Sequence, residues 1–160
     1  TQDHSQKSEE WKKLMNNSTR EFFRKWGSTV NHDKYMLPIV SPKYDIGFVV
    51  KNCHMGLLND LEPWCSTIYV DCDFKPYIDF EQRNTSYDLT ERIYSINVEQ
   101  TNDIIVRFDA SQLTQQGFEF IQRLPLVLSD SGDIGNMEYD VFEIEIKKLK
   151  TYEKELINVV

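Results

Sequence analysis

The chain has 160 residues, a formal net charge of -8, and 40% hydrophobic and 28% charged residues. This length suits one domain with a hydrophobic core and is short for two. The acidic balance disfavours general binding to nucleic acid or to an anionic membrane surface, because both carry negative charge.

The same sequence bounds the compartment and the cofactors. No apolar run approaches the roughly 20 residues that cross a bilayer, and the first ten residues lack the apolar core of a signal peptide, so we expect a cytoplasmic protein without a membrane span. Cys53, Cys65 and Cys72 form no Cys-x-x-Cys pair, which favours reduced thiols. A metal site made from these thiols and His54 would lack a tight anchoring ligand pair, so no cofactor is expected.

The first predicted element is an amphipathic helix in the segment SEEWKKLMNNSTREFFRKWG. Its apolar stripe consists of Trp11, Leu14, Met15, Ser18, Phe22 and Trp26. These positions follow helical spacing, and Gly27 can supply a left-handed stop. The next segment, 28–42, has two prolines and little periodicity, which predicts a connector. We therefore divide the chain into a helix and connector at 1–37 and a single α/β domain at 38–160.

The second part alternates strand and helix patterns. Strands are predicted at 44–50, 66–71, 102–109 and 138–149, and helices at 55–65, 77–95 and 111–132. We expect Ser111 to cap the last helix and Pro125 to kink it, and the last strand to be a half-exposed edge strand, since apolar residues alternate there with glutamates. The order predicts an α/β fold with a short, mostly parallel four-stranded sheet that helices cover on both faces.

Polar residues follow the carboxyl ends of the three central strands. They are Lys51, Asn52, His54, Asp71, Asp73 and Asp109. Ligands of open α/β sheets usually bind in the crevice beyond these ends, so the six residues form a candidate ligand crevice. The alternative is local, because Asp and Asn also favour turns and helix caps.

The sequence favours neither a metal site nor a catalytic centre in this crevice. Sugar-nucleotide enzymes often hold a divalent metal with an Asp-x-Asp pair that follows a strand. In those enzymes the first strand of the fold lies on the order of 80–100 residues before this pair. Here only one short predicted helix separates the first predicted strand from the strand that ends at Asp71 and Asp73. The dinucleotide fingerprint, the phosphate loop and the Gly-x-Ser-x-Gly elbow are absent from the sequence. Cys53 and His54 suggest a thiol and a base, yet adjacent residues at a strand end tend to point apart.

Several segments resemble the C-terminal part of bacterial family 2 glycosyltransferases. Phe22, Lys25, Trp26 and Gly27 in EFFRKWG, followed by HDKYMLPIVSPKYDIGFVVKNC, carry the match. In that family a helix ending in Phe-x-x-Lys-Trp-Gly closes the catalytic domain before a C-terminal extension. The segments LEPWCSTIYVD, NTSYDLTERI and DSGDIGNMEYDVFEIEI are similar to this extension. The resemblance implies that the nucleotide-binding strand, the metal-binding Asp-x-Asp and the catalytic base lie upstream of this chain.

The resemblance favours one function and leaves a second open. The first is an accessory module for polysaccharide biosynthesis, non-catalytic alone, that positions or recognises a glycan acceptor or a partner chain. The second is an independent small α/β enzyme or nucleotide-binding domain that uses the crevice. The expected partners are an upstream catalytic domain, a glycan acceptor and a second copy bound through the helical stripe. If the helix belongs to an upstream domain, a chain that starts near Pro38 should stay folded.

Overall fold

The computed structural model describes residues 16–28, 31–32, 34–39 and 42–152. The helices are α1 (16–26 in its described part), α2 (Met55–Leu61), α3 (Lys75–Glu81) and α4 (Gln115–Ser131). The strands are β1 (Asn31–His32), β2 (Pro38–Ile39), β3 (Ile46–Lys51), β4 (Thr67–Val70), β5 (Ile93–Ser95), β6 (Ile104–Asp109), β7 (Gly135–Tyr139) and β8 (Phe142–Ile146). Strands β1 and β2 form a small antiparallel pair within the predicted connector.

The other six strands form one sheet in the order β5-β4-β3-β6-β8-β7. Strands β3, β4, β5 and β6 run parallel to one another, whereas β8 runs antiparallel to both β6 and β7. The chain moves outward from β3 through β4 to β5 and then returns to the opposite side of β3, so the strand order reverses between β3 and β6. The predicted α/β class with a mostly parallel sheet is confirmed, but the prediction of four strands is wrong.

The two unexpected strands come from segments that carry a weak pattern. In the predicted helix 77–95, α3 ends at Glu81 and the short strand β5 pairs with β4 instead. The predicted edge strand 138–149 is the second half of a hairpin that turns at Asp140, whose φ is 53°. Strand β8 therefore lies inside the sheet, and β7 forms the edge.

The helices pack on one face of the sheet. Alternate residues of the central strands, such as Phe48, Ile68 and Val106, form a core with Leu58 of α2 and Leu124 of α4. The hydrophobic effect favours this arrangement because each element buries its apolar side against another.

The opposite face of the sheet carries a smaller apolar cluster. It contains Val49, Tyr69 and Ile105, with Tyr94 and Ile96 packed against them, and no residue from the described helices. The return connection at 96–103, which has no helix, crosses this face and anchors the buried Asn102 on the hydroxyls of neighbouring strand residues. In the described part of the chain, the helices therefore cover one face of the sheet and not both, contrary to the prediction.

Helix α1 packs on the domain through a charged face. Arg24 is 1% exposed and donates from Nη2 to Oε1 of Glu62 at 2.6 Å. One turn earlier, Nη2 of Arg20 donates to Oε2 of Glu81 at 2.9 Å. Both acceptor residues are buried, so these are buried ion pairs that hold α1 against the sheet domain, and not surface contacts.

The described aromatic residues of the predicted α1 stripe are only partly covered by the domain. Phe22 and Trp26 each lie two residues from Arg24, which is about 200° around a helix. Trp26 is 37% exposed and Phe22 is half-buried. The other predicted apolar members of the stripe, Trp11, Leu14 and Met15, lie outside the described residues.

The longest helix begins later than predicted. Thr114 caps α4, since its hydroxyl accepts a hydrogen bond from the backbone N–H of Gly117 at 3.1 Å, while Ser111 lies in a preceding 3-10 turn. The helix continues through Pro125 to Ser131. Among the described residues, no helix has the length and apolar character needed to cross a membrane.

Candidate functional site

Asn52 connects the ends of three neighbouring strands. It follows β3 with a φ of 55°, a left-handed conformation that Asn tolerates better than most residues. Its backbone N–H and that of Cys53 donate to the two carboxylate oxygens of Asp71 at 2.7 and 3.0 Å. Its side-chain amide donates to both carboxylate oxygens of Asp109, each at 3.0 Å. The structure therefore brings together three of the six predicted crevice residues at the position where the strand order reverses.

Asp109 also begins the next element of the chain. Its Oδ1 accepts hydrogen bonds from the hydroxyl of Ser111 at 2.6 Å and from the backbone N–H of Ser111 at 2.9 Å. The side-chain hydrogen bonds from Ser111 and then Asn52 lower the pKa of Asp109 below its ordinary value. Asp109 is thus an ionised acceptor whose oxygens are already engaged by the protein.

Two other predicted residues accept hydrogen bonds from the backbone at helix starts. Nδ1 of His54 accepts from the backbone N–H of Leu57 at 3.2 Å at the start of α2. Oδ1 of Asp73 accepts from the backbone N–H of Lys75 at 3.2 Å at the start of α3. Both contacts satisfy backbone donors that a helix leaves open in its first turn. Neither His54 nor Asp73 joins the hydrogen-bonded group around Asn52.

Lys51, the sixth predicted residue, lies at the other side of the crevice. It borders a cavity of about 290 Å³ together with Arg107, Asp109, Gln112 and Glu143. The cavity opens on the face of the sheet that carries no helices. Its two cationic and two anionic side chains balance one another, so the cavity suits a polar ligand without a large net charge.

The thiols beside the crevice are poor nucleophiles. Burial, together with the nearby Cys72 and Asp71, raises the pKa of Cys53 to about 12. Burial also raises the pKa of Cys72. With this raised pKa, Cys53 is protonated near neutral pH. A protonated thiol is a weak nucleophile, because the thiolate is the reactive form. Its neighbour His54 already uses Nδ1 in the helix cap, so the pair does not form an activated nucleophile and base.

Within the described part of the chain, no group of three or more His, Cys, Asp or Glu residues is arranged to hold a metal ion. Asp71 and Asp73 do not share one face of a strand, because β4 ends at Val70 and the two carboxylates bind different backbone segments.

Sequence reasoning missed Arg107 and Glu143 as neighbours of the crevice. Arg107 lies within the largely apolar strand IIVRFD and Glu143 within the alternating strand FEIEI, and the two residues lie in register on β6 and β8. A charge within an apolar strand is the signal that could have identified them, since it marks a strand face that is not covered.

No protein-family model, curated protein or solved structure matches the chain. The resemblance to family 2 glycosyltransferases therefore stays a prediction.

Proposed function

We propose that the chain is an accessory C-terminal module of a family 2 glycosyltransferase. Alone it is non-catalytic, and in the parent enzyme it positions or recognises a glycan acceptor or a partner chain. The observation that carries this proposal is the two-sided character of α1. Arg20 and Arg24 bind the domain, while Phe22 and Trp26, which carry part of the resemblance, keep part of their aromatic surface exposed.

Such a helix is suited to join two bodies. A surface helix of a single domain normally buries its apolar stripe and exposes its charges. Here α1 buries Arg24 beside Phe23, while Phe22 and Trp26 stay partly exposed, which leaves aromatic surface for a second body. The resemblance identifies that body as the catalytic domain that ends in this helix.

The proposal is tested in the parent enzyme. The reading frame upstream of Thr1 is expected to encode a catalytic domain, and its absence there would refute the proposal. In the intact enzyme, we expect Trp26→Ser to loosen the module, so that limited proteolysis releases it faster and the KM for the acceptor rises while kcat changes little. Phe80→Ser is the matched control, because Phe80 is an aromatic residue of another helix that is 64% exposed. Equal effects of the two substitutions would contradict the role of α1.

The alternative function is an independent small α/β enzyme or nucleotide-binding domain. The hydrogen-bonded group of Asn52, Asp71 and Asp109 at the strand reversal favours it, because ligands of such sheets bind there. A nucleotide sugar with a Kd near 10 μM would stabilise the isolated chain by about 2.7 kcal/mol at 1 mM. Thermal unfolding with UDP-glucose and with ATP decides between the two functions. A stabilisation that Asp109→Ala abolishes would support the alternative.

A further inference from the structure

A groove lies between α1, α2 and the first turns of α4. Its volume is about 550 Å³, within the range of roughly 300–1,000 Å³ that is typical of small-molecule sites. The groove lies on the helical face of the sheet, and the candidate crevice residues are not among those that line it.

One side of the groove is aromatic. The ring of Phe23 stacks on Trp64 with a centroid distance of 4.1 Å, and the ring of Phe118 meets Trp64 edge-on at 6.3 Å. Trp64 is 6% exposed, whereas Phe23 and Phe118 are half-buried and offer their remaining surface to the groove. The aromatic group is held by its own packing and requires no ligand to assemble it.

The rim of the groove is polar and mostly uncharged. The side chains of Asn16, Asp60, Gln115 and Gln122 line it, and none of them has a hydrogen-bond partner among the described residues. An amide both donates and accepts hydrogen bonds, as a hydroxyl group does. The amide groups of the rim can therefore replace their hydrogen bonds to water with hydrogen bonds to the hydroxyl groups of a ligand.

The charges of the groove disfavour anionic ligands. Arg20 lines it, but its guanidinium is already paired with Glu81 at 2.9 Å. The other formal charge among the lining residues is the carboxylate of Asp60, which disfavours phosphates and other anions. A purely apolar ligand would bury the amides without hydrogen bonds, at a cost in free energy.

We propose that this groove binds a neutral saccharide. A sugar ring has an apolar C–H face that fits the aromatic side and a ring of hydroxyl groups that fits the amide rim. The inference deepens the proposed function, on which it rests for its biological role, because it names the surface that takes the glycan. Attachment through Trp26 and sugar binding in the groove are measured separately, so either one can fail alone.

The test is an NMR titration of the full 160-residue chain with maltose, cellobiose and lactose. At least one of these probes is expected to produce saturable shifts in the backbone amides of 115–122 and in the indole N–H of Trp64. Gln122→Ala should raise the dissociation constant at least about tenfold, which is a loss of about 1.4 kcal/mol in binding free energy. Gln116→Ala is the matched control, since Gln116 has the same side chain, lies on the same helix and is exposed without lining the groove.

Two results would overturn the proposal. One is the absence of saturable shifts with all three disaccharides at about 50 mM, a concentration that detects even millimolar affinity. The other is a shift pattern centred on Asp71 and Asp109, with Gln122→Ala binding as tightly as the unmodified chain. If Gln122→Ala is unfolded, as a loss of dispersion in its NMR spectrum would show, Gln115→Ala replaces it in the comparison. An unchanged affinity in Gln115→Ala would then overturn the proposal.

Discussion

Replacing Glu62 by Gln tests whether buried charge holds α1 to the domain. The Glu62 carboxylate is fully buried and accepts from Nε of Arg24 at 2.9 Å, Nε of Arg92 at 2.9 Å and the hydroxyl of Tyr77 at 2.9 Å. Gln keeps the shape but leaves two buried guanidinium groups short of a negative charge. Breaking a buried ion pair from one side typically costs about 3–5 kcal/mol, so we expect Glu62→Gln to lower the free energy of unfolding by ~4 kcal/mol.

The pKa of Glu62 leads to a similar magnitude. Burial alone would raise this pKa, but the charges and hydrogen bonds of Arg92 and Arg24 lower it from 4.5 to about 2. That change corresponds to roughly 3 kcal/mol in favour of the folded carboxylate form. Because the pKa is lower in the folded state, the unfolded chain binds the proton first, and the stabilisation present above pH 4.5 is lost as the pH falls toward 2.

Thermal unfolding of both chains at pH 7 and at several lower pH values checks this prediction. A loss of ~4 kcal/mol corresponds to a fall in Tm of about 8–16 °C for a chain of this size. The control is Glu21→Gln, which removes the carboxylate that Nη1 of Arg24 contacts at 2.7 Å, from a side chain that is 29% exposed. We expect this control to cost about 1 kcal/mol or less. Equal and small effects of the two substitutions on stability would refute the reasoning. So would a stability difference between Glu62→Gln and the unmodified chain that does not become smaller below pH 4.5.

Three further predictions concern the ends of the strands and the first helix. Mn²⁺ or Mg²⁺ at 1 mM should leave the Tm nearly unchanged, whereas a metal site with a Kd near 10 μM would add about 2.7 kcal/mol to the free energy of unfolding. A rise in Tm of several degrees that Asp73→Asn abolishes would contradict this prediction. Ser111→Ala should raise the pKa of Asp109 toward its ordinary value in an NMR titration, because the largest cause of its lowering is removed, and an unchanged pKa would show that Ser111 has no such role. A chain that starts near Pro38 is expected to stay folded but to unfold at a lower temperature than the full chain, since Glu62 loses Arg24 and keeps Arg92 and Tyr77. Circular dichroism on both chains checks this, and loss of cooperative unfolding in the shorter one would show that α1 belongs to the core of this domain.

Strong apolar runs allowed most of the central sheet to be predicted. β3, β4 and β6 lie within one or two residues of the predicted 44–50, 66–71 and 102–109. Short β-branched runs between helical patterns favour buried parallel strands, so local sequence is sufficient there. β5 was missed because three residues carry too little pattern, and its strand conformation depends on pairing with β4.

The candidate site was predicted in part for a related reason. The end of each strand is a local feature, so Asn52, Asp71 and Asp109 were identified from sequence. Their hydrogen bonds join three separate strands, and no spacing along the chain specifies which carboxylate Asn52 meets. Arg107 and the groove around Trp64 depend on strand register and helix packing, which sequence patterns do not encode directly.

The sequence by itself determined the α/β class, the positions of the central strands and the presence of a helix before them, because each depends on periodicity and propensity over a few residues. Only the tertiary structure decided which face of that helix meets the domain. The periodicity indicated Phe22 and Trp26, but Glu62 and Glu81 lie about 40–60 positions further along the chain, so the sequence pattern of the helix contains no sign of them. Folding places these carboxylates where Arg20 and Arg24 can reach them, and a buried carboxylate without a cationic partner is costly, so the arginine face of α1 meets the domain with Phe23 beside it.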